Sequence, residues 1–269
     1  MKNILIYYPF TLATNPKSGS AIRPVEMIKA IEKYATENNL ETIVISGTST
    51  ERRQLWNKML AEKKQEQTLF CYSENQTIPL WLTDPGHIPK DWIIDKDVFK
   101  TLKRLQVPIG VFYRDVYWKF DELYPLKGIK KTVMKTIYRM EERFYEKYVH
   151  TLFLPSDAMG KYVAIKTNKM ALPPGGRFTE LNDNNREMQK PFKGIYVGGI
   201  NNEDYGLPTL VDAYALLNKN EVLGKLVIVC REEEYTQLSN EEKDKIKQPY
   251  IELKHVSGAE LQSLYEEVD

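Results

Sequence analysis

Residues 192–217, FKGIYVGGINNEDYGLPTLVDAYALL, decide the fold. An apolar, β-branched run enters the glycine pair Gly198 and Gly199, and after a polar loop a helical pattern starts near Leu207. Strand, glycine turn and helix form the opening of a parallel βα layer. Just upstream, residues 177–191 (RFTELNDNNREMQKP) have no apolar period and many turn formers, which marks a linker. The chain is thus read as a first domain over 1–176 and a second over 192–269.

The same alternation runs outward in both directions. Towards the N-terminus come a strand at Asn3 to Tyr8, a long loop TLATNPKSGSAIR, a helix with Pro24 in its first turn, and a strand at Glu41 to Ser46. Val25, Ile28, Ile31 and Tyr34 recur at helical spacing and mark that helix's buried stripe. The spacing then predicts a helix near 50–67, a strand near 68–72, a helix over 96–105, the strand VPIGVFY, a long helix over 128–148, the strand TLFLPS, the short helix DAMGKYVAI and the strand KMALPPGG. In the second domain KLVIVCR, a Glu-rich helix, YIELKHV and GAELQSLYEEV continue the series. The expected class is α/β, with two Rossmann-like, doubly wound parallel-sheet domains. The second is read as incomplete, with a further strand expected beyond Asp269.

Composition removes several functions. Lys plus Arg is 38 against 37 Asp plus Glu, so the formal charge of +1 creates no global field for nucleic acid. Cys71 and Cys230 sit in strand-like runs without CxxC or paired histidines, which argues against zinc and against a disulfide framework. The N-terminal apolar run is too short for a signal or a membrane span, and no run elsewhere approaches the roughly 20 residues a span needs. These features place the expected location in the cytoplasm.

Three segments could carry chemistry. In a doubly wound sheet, ligands sit beyond the carboxyl ends of strands. The loop after the first strand places Lys17, Ser18, Gly19, Ser20 and Arg23 there, with glycine allowing close backbone approach to a phosphate. A flexible loop with incidental charge is the competing reading, and no GxGxxG or Walker lysine is present. At FYRDVYW the chain leaves a strand with Arg114 and Asp115 in succession, either as substrate contacts or as an ion-paired Arg and a turn-capping Asp. At YVGGINNEDYG, Gly198 and Gly199 precede a helix N-terminus suited to an anion, although a tight turn needs glycine for conformation alone and the turn has no Lys or Arg. His87 stands alone in a proline-rich loop. The first half of the long helix, LKGIKKTVMK, has uncompensated positive charge; it fits either peripheral contact with an anionic membrane or a solvated face.

In order, these features resemble the GT-B glycosyltransferases, in particular the retaining, glycogen-synthase-like group called family 4. The matching elements are the glycine-containing first loop with SAIRPVEMIKAI, the strand ending in RD, LPSDAMGKYV with Ser156, the turn Pro173, Pro174, Gly175 and Gly176, and the opening YVGGINNEDYGLPTLVDAYALL. The resemblance implies a transferase moving a sugar from a nucleotide-diphosphate sugar to a glycan hydroxyl, in surface or capsular polysaccharide synthesis. It implies a glycan or lipid-linked acceptor and no cofactor or metal. Carried over, Arg114 stands where many members place a sugar-contacting histidine, beside Asp115, and these two are the catalytic candidates. Gly19, Gly198, Gly199 and Tyr205 fall on the donor side, Gly199 and Tyr205 standing where the family commonly has arginine and lysine. Lys17, Ser18 and Arg23 fall on the acceptor side. The family's paired-glutamate motif would follow Asp269. Two other readings remain open: a nucleotide-sugar epimerase of the same fold, and a noncatalytic binding or assembly subunit.

Overall fold

The structure, a computed structural model, describes residues 1–16, 18–175, 192–202, 205–219 and 224–268. The chain divides into two compact units, Met1–Gly176 and Arg177–Asp269. The linker expected over 177–191 lies outside the described residues.

The first unit alternates strands and helices: β1 (Asn3–Tyr7), α1 (Gly19–Glu37), β2 (Glu41–Ile45), α2 (Ser49–Ala61), β3 (Thr68–Glu74), α3 (Ile94–Arg104), β4 (Ile109–Phe112), α4 (Gly128–Tyr148), β5 (Thr151–Leu154) and β6 (Asn168–Ala171). The strands pair in the order β2-β1-β3-β4-β5-β6. Every pairing is parallel, so each strand presents its carboxyl end on the same edge. The residues of β1 are all buried, as expected of a strand covered by helices on both faces. One cluster, with Trp56, Phe99 and Tyr145, fills one face; the other, with Tyr8, Phe10 and Tyr72, receives Met27, Ile28 and Ile31 of α1. DAMGKYVAI yields one 3-10 segment, Asp157–Tyr162, capped by the Ser156 hydroxyl on the Met159 amide.

One boundary differs materially from the sequence reading. α1 begins at Gly19, five residues before Pro24, so Pro24 lies inside the helix and the preceding loop is shorter than expected. Ser18, in extended conformation, is the residue before the first turn. Proline lacks the N–H that would bond the carbonyl four residues back, here that of Ser20. The stripe of Met27, Ile28 and Ile31 against the sheet outweighs that loss.

The second unit is smaller: β7 (Phe192–Val197), α5 (Leu207–Lys219), β8 (Gly224–Val229), α6 (Glu232–Gln237), α7 (Asn240–Ile246), β9 (Ile251–Lys254) and α8 (Ala259–Glu266). Its sheet, β7-β8-β9, is also parallel throughout. The Glu-rich helix is two helices, because Ser239 opens α7 with a capping box to Glu242. Gly194 in β7 lets Tyr214 of α5 cross closely; a Cβ there would lie 2.1 Å from the tyrosine hydroxyl oxygen. The chain therefore has two Rossmann-like parallel-sheet units, of which the second is smaller.

Candidate functional site

The strand order locates the site before any side chain is considered. From β1 the chain steps to β2 on one side, then returns across β1 to β3 on the other. Loops leaving the carboxyl ends of β1 and β3 therefore diverge, and such a switch point leaves a crevice. A cleft of about 320 Å³ lies there. Residues 10–13 after β1, Ser20, Ala21 and Pro24 of α1, residues 76–78 after β3, and Arg114 after β4 form its walls. Phe10, Leu12, Ala13 and Ile78 give it an apolar surface, while Thr11, Ser20, Gln76 and Thr77 supply hydroxyl and amide groups.

Behind Arg114 stands a charge cluster that the sequence reading did not include. Glu74, the last residue of β3, is fully buried. Arg23 Nε lies 3.6 Å from its Oε1, and Arg114 Nη2 lies 3.6 Å from its Oε2. Tyr72 donates its hydroxyl to Glu74 Oε1 at 2.9 Å and accepts from Arg23 Nη2 at 3.4 Å. The Arg23 guanidinium also lies 3.5 Å from the centroid of the Phe112 ring, a cation–π contact. Burial pushes the Glu74 carboxyl up from its ordinary range, against the pull of Arg23, the Tyr72 hydroxyl and Arg114.

Asn75 fixes the backbone at Arg114. Its amide donates to the Phe112 carbonyl at 3.0 Å, and its Oδ1 accepts from the Arg114 amide at 2.7 Å. Asp115 accepts from the Thr77 hydroxyl at 3.1 Å. Burial raises its carboxyl, while hydrogen bonds from Thr77 and the Tyr117 amide pull it back down. Asp115 therefore stands behind Thr77, in support of the wall.

The sequence-selected residues thus fall into three sets. Arg114 lines the cleft, with Asp115 and Arg23 packed behind it. Gly19 and Ser18 open α1 beside it and are outside its lining; the Ser18 and Ser20 hydroxyl oxygens are 3.1 Å apart. Lys17 lies outside the described residues. Gly198, Gly199 and Tyr205 belong to the second unit. Glu74, Asn75 and Gln76 had one usable signal: a polar SENQ run directly after an apolar strand that neighbours β1.

In the second unit, the Gly198 amide extends the β7–β8 ladder by donating to the Val229 carbonyl at 3.1 Å. Gly199 is squeezed between two side chains: a Cβ there would lie 2.9 Å from the Tyr205 ring and 3.4 Å from Glu234 Oε2. The next amide, Ile200, donates to that same Glu234 oxygen at 3.1 Å. Arg231 pairs with the other Glu234 oxygen. A carboxylate thus already sits on this turn's amide. Gly206, at φ +75°, carries the chain from Tyr205 into α5 in a conformation that favours glycine.

Among the described residues, no helix is long and apolar enough to cross a membrane. In α4, residues 128–137 include no buried side chain; burial begins at Tyr138. Ile129 is 83% exposed, and Val133 and Met140 are each 51% exposed.

The fold and site define a GT-B-like protein with a switch-point cleft in its first unit. No protein-family model matches the chain, and no curated protein matches it. Among solved structures it is similar to Anabaena HepE in complex with UDP, with a TM-score of 0.51 and 10% identity over 93% of this chain and 68% of that one. The S. aureus MnaA–UDP co-structure matches with a TM-score of 0.44, 12% identity, 99% of this chain and 71% of that one. Acinetobacter baumannii MurG gives a TM-score of 0.39, 8% identity, and 99% and 72% coverage. At these identities the likeness to HepE is one of fold, and the two lower scores carry no weight.

Proposed function

We propose that the chain is a glycosyltransferase, taking a sugar from a nucleotide-diphosphate sugar and placing it on a hydroxyl of a glycan or lipid-linked acceptor. The observation that carries this reading is the switch-point cleft, sugar-sized and mixed apolar and polar, in a GT-B-like fold whose solved likeness holds UDP. The acceptor occupies the cleft, its ring against Phe10 and Leu12 and its hydroxyls on Gln76 and Thr77. Arg114 contacts substrate, while Asp115 is a positioning residue that acts through Thr77. The acceptor oxygen attacks the anomeric carbon, the bond to the diphosphate breaks, and the hydroxyl proton leaves with the departing phosphate. In the second unit, the Gly199 amide and the N-terminus of α5 are the donor-side groups offered to the diphosphate, the Gly198 and Ile200 amides being already bonded. Retention of configuration and a role in surface polysaccharide synthesis follow from the family resemblance. Incubating the chain with UDP-sugars and an acceptor should release UDP only when both are present. A donor converted to its epimer without acceptor would replace this reading with the epimerase.

The Glu234 carboxylate favours a second reading, a noncatalytic binding subunit, because it puts negative charge where a leaving diphosphate would gather. Failure of UDP to bind at millimolar concentration would select it.

Peripheral membrane attachment is part of the proposal. From Lys127 to Met140 the sequence has five basic residues and no acidic one. Lys131 and Lys135 pair with Asp121, whereas Lys127 and Lys130 are exposed and flank Ile129. Lysines at a helix N-terminus oppose the macrodipole, so this charge does not serve the helix's own stability. Cosedimentation with vesicles containing phosphatidylglycerol should exceed that with phosphatidylcholine alone, and Lys127→Glu with Lys130→Glu should weaken it by more than tenfold, at about 1 kcal/mol per charge removed and more on reversal.

A further inference from the structure

We infer that the acceptor carries an acid group, a carboxylate or a phosphate ester, and that Arg114 receives it. The inference rests on the glycosyltransferase reading of the cleft and adds the acceptor's chemical class. Eight buried side-chain nitrogen and oxygen atoms among the described residues have no hydrogen-bond partner in the protein, and four belong to one cluster: Arg23 Nε, Glu74 Oε2, Arg114 Nε and Arg114 Nη2. These atoms are closed off from the cleft and lie within the two 3.6 Å ion pairs, so one carboxylate is shared between two guanidinium groups and the cluster behind the wall keeps a surplus positive charge.

The sign of that ligand follows from the charges. Two guanidinium groups face one carboxylate, each at 3.6 Å, an ion-pair distance too long for a hydrogen bond. Arg23 spreads its charge over the Phe112 ring and donates to the Tyr72 hydroxyl, so Glu74 and its neighbours serve Arg23 from two further directions. Among the described residues, Arg114 has no such second bonded partner for its side chain. Asp115, next in sequence, accepts from the Thr77 hydroxyl, and the Arg114 charge reaches its carboxyl without a direct bond among the described residues. Arg114 is, among the described residues, the cationic residue of the cleft wall. Its backbone is clamped by Asn75, and its side chain is only 16% exposed beside Glu74. A guanidinium at the cleft wall donates charge-assisted hydrogen bonds to a carboxylate or phosphate, which are stronger than those it gives a neutral hydroxyl.

The surrounding wall fits an acidic sugar better than a free anion. Phe10, Leu12, Ala13 and Ile78 offer an apolar face for a pyranose ring, and Gln76 and Thr77 hydrogen-bond its hydroxyls. A free phosphate would use none of these groups.

Titration of the chain with methyl glucuronide, glucose 6-phosphate and methyl glucoside, followed by ligand-observed NMR, tests the inference. At least one acidic sugar should bind tenfold or more tightly than methyl glucoside; which one does so separates carboxylate from phosphate. Arg114→Gln should bring both acids to the level of the neutral glycoside, and Arg114→Lys, which keeps a charge opposite Glu74, should retain part of the preference. Equal binding of acid and neutral sugars by the wild type, no binding of any of the three, or an acid preference that survives Arg114→Gln in a variant with wild-type circular dichroism would each overturn the inference. Inorganic phosphate binding as tightly as glucose 6-phosphate would do the same. A UDP titration separates the two levels: UDP bound without acid preference removes this inference alone, and acid preference without UDP binding removes the glycosyltransferase reading.

Discussion

The two units answer the same structural question in opposite ways. Each ends its parallel strands on one edge, where amides and helix termini favour anions. The first unit adds cations there: Arg23 and Arg114 converge on Glu74 and one of them reaches the cleft. The second adds an anion, with Glu234 on the Ile200 amide directly after the glycine pair. Fold therefore sets where a ligand can bind, and a few side chains at strand ends set the sign of charge it must bring.

The contrast breaks most visibly at Glu74. If the first site's charge is built into the core, removing the buried carboxylate strands two largely enclosed guanidinium groups, a loss of up to about 3–5 kcal/mol. Glu74→Ala should lower the urea midpoint of the first unit accordingly. Hydrogen exchange in β7, β8 and β9 should stay unchanged. Destabilisation below about 1 kcal/mol would show that water already satisfies both arginines and that the cluster is not part of the core.

A second buried carboxyl sharpens the comparison from within the first unit. Glu141 of α4 is fully buried, accepts from the Leu80 amide at 2.8 Å and the Tyr145 hydroxyl at 3.1 Å, and faces no arginine. Burial pushes it up to about 8, so at neutral pH it stays protonated. Because the folded state holds this proton to a higher pH than the unfolded chain, stability falls as pH rises from about 4.5 to about 8. Glu141→Gln cannot ionise and should flatten that slope, gaining on the order of 3 kcal/mol over wild type by pH 8. Parallel melting curves for the two proteins between pH 5 and 8 would leave Glu141 with an ordinary pKa.

These differences lay unequally within reach of the sequence. Apolar β-branched runs revealed the strands, and α4 was legible over 128–148 because its helical spacing is uninterrupted. The start of α1 was misread because Pro24 is a strong start signal locally, while the packing that extends the helix back to Gly19 comes from a sheet not yet assembled in sequence. Arg114 and Asp115 stood out by leaving a strand together, but Glu74 did not, since β3 was taken to stop at Tyr72 and the value of its last residue depends on β1 and β4 lying alongside. Glu234 was invisible for the same reason: 34 residues separate it from the amide it occupies.

That occupied amide gives the smallest and most discriminating test. In Glu234→Gln the side-chain oxygen can still accept from Ile200, so the turn keeps its shape, while one negative charge leaves and Arg231 loses its ion-pair partner. If the second unit binds a diphosphate at this turn, UDP should bind roughly five- to tenfold more tightly, equivalent to about 1 kcal/mol. The gain is modest because Arg231 is more than half exposed and water screens its new charge. Calorimetric titration at low salt reads it, and the difference should shrink as salt is raised. Unchanged or weaker binding would mean that Glu234 does not compete with the nucleotide, and the opposition between the two strand edges would then be one of structure alone.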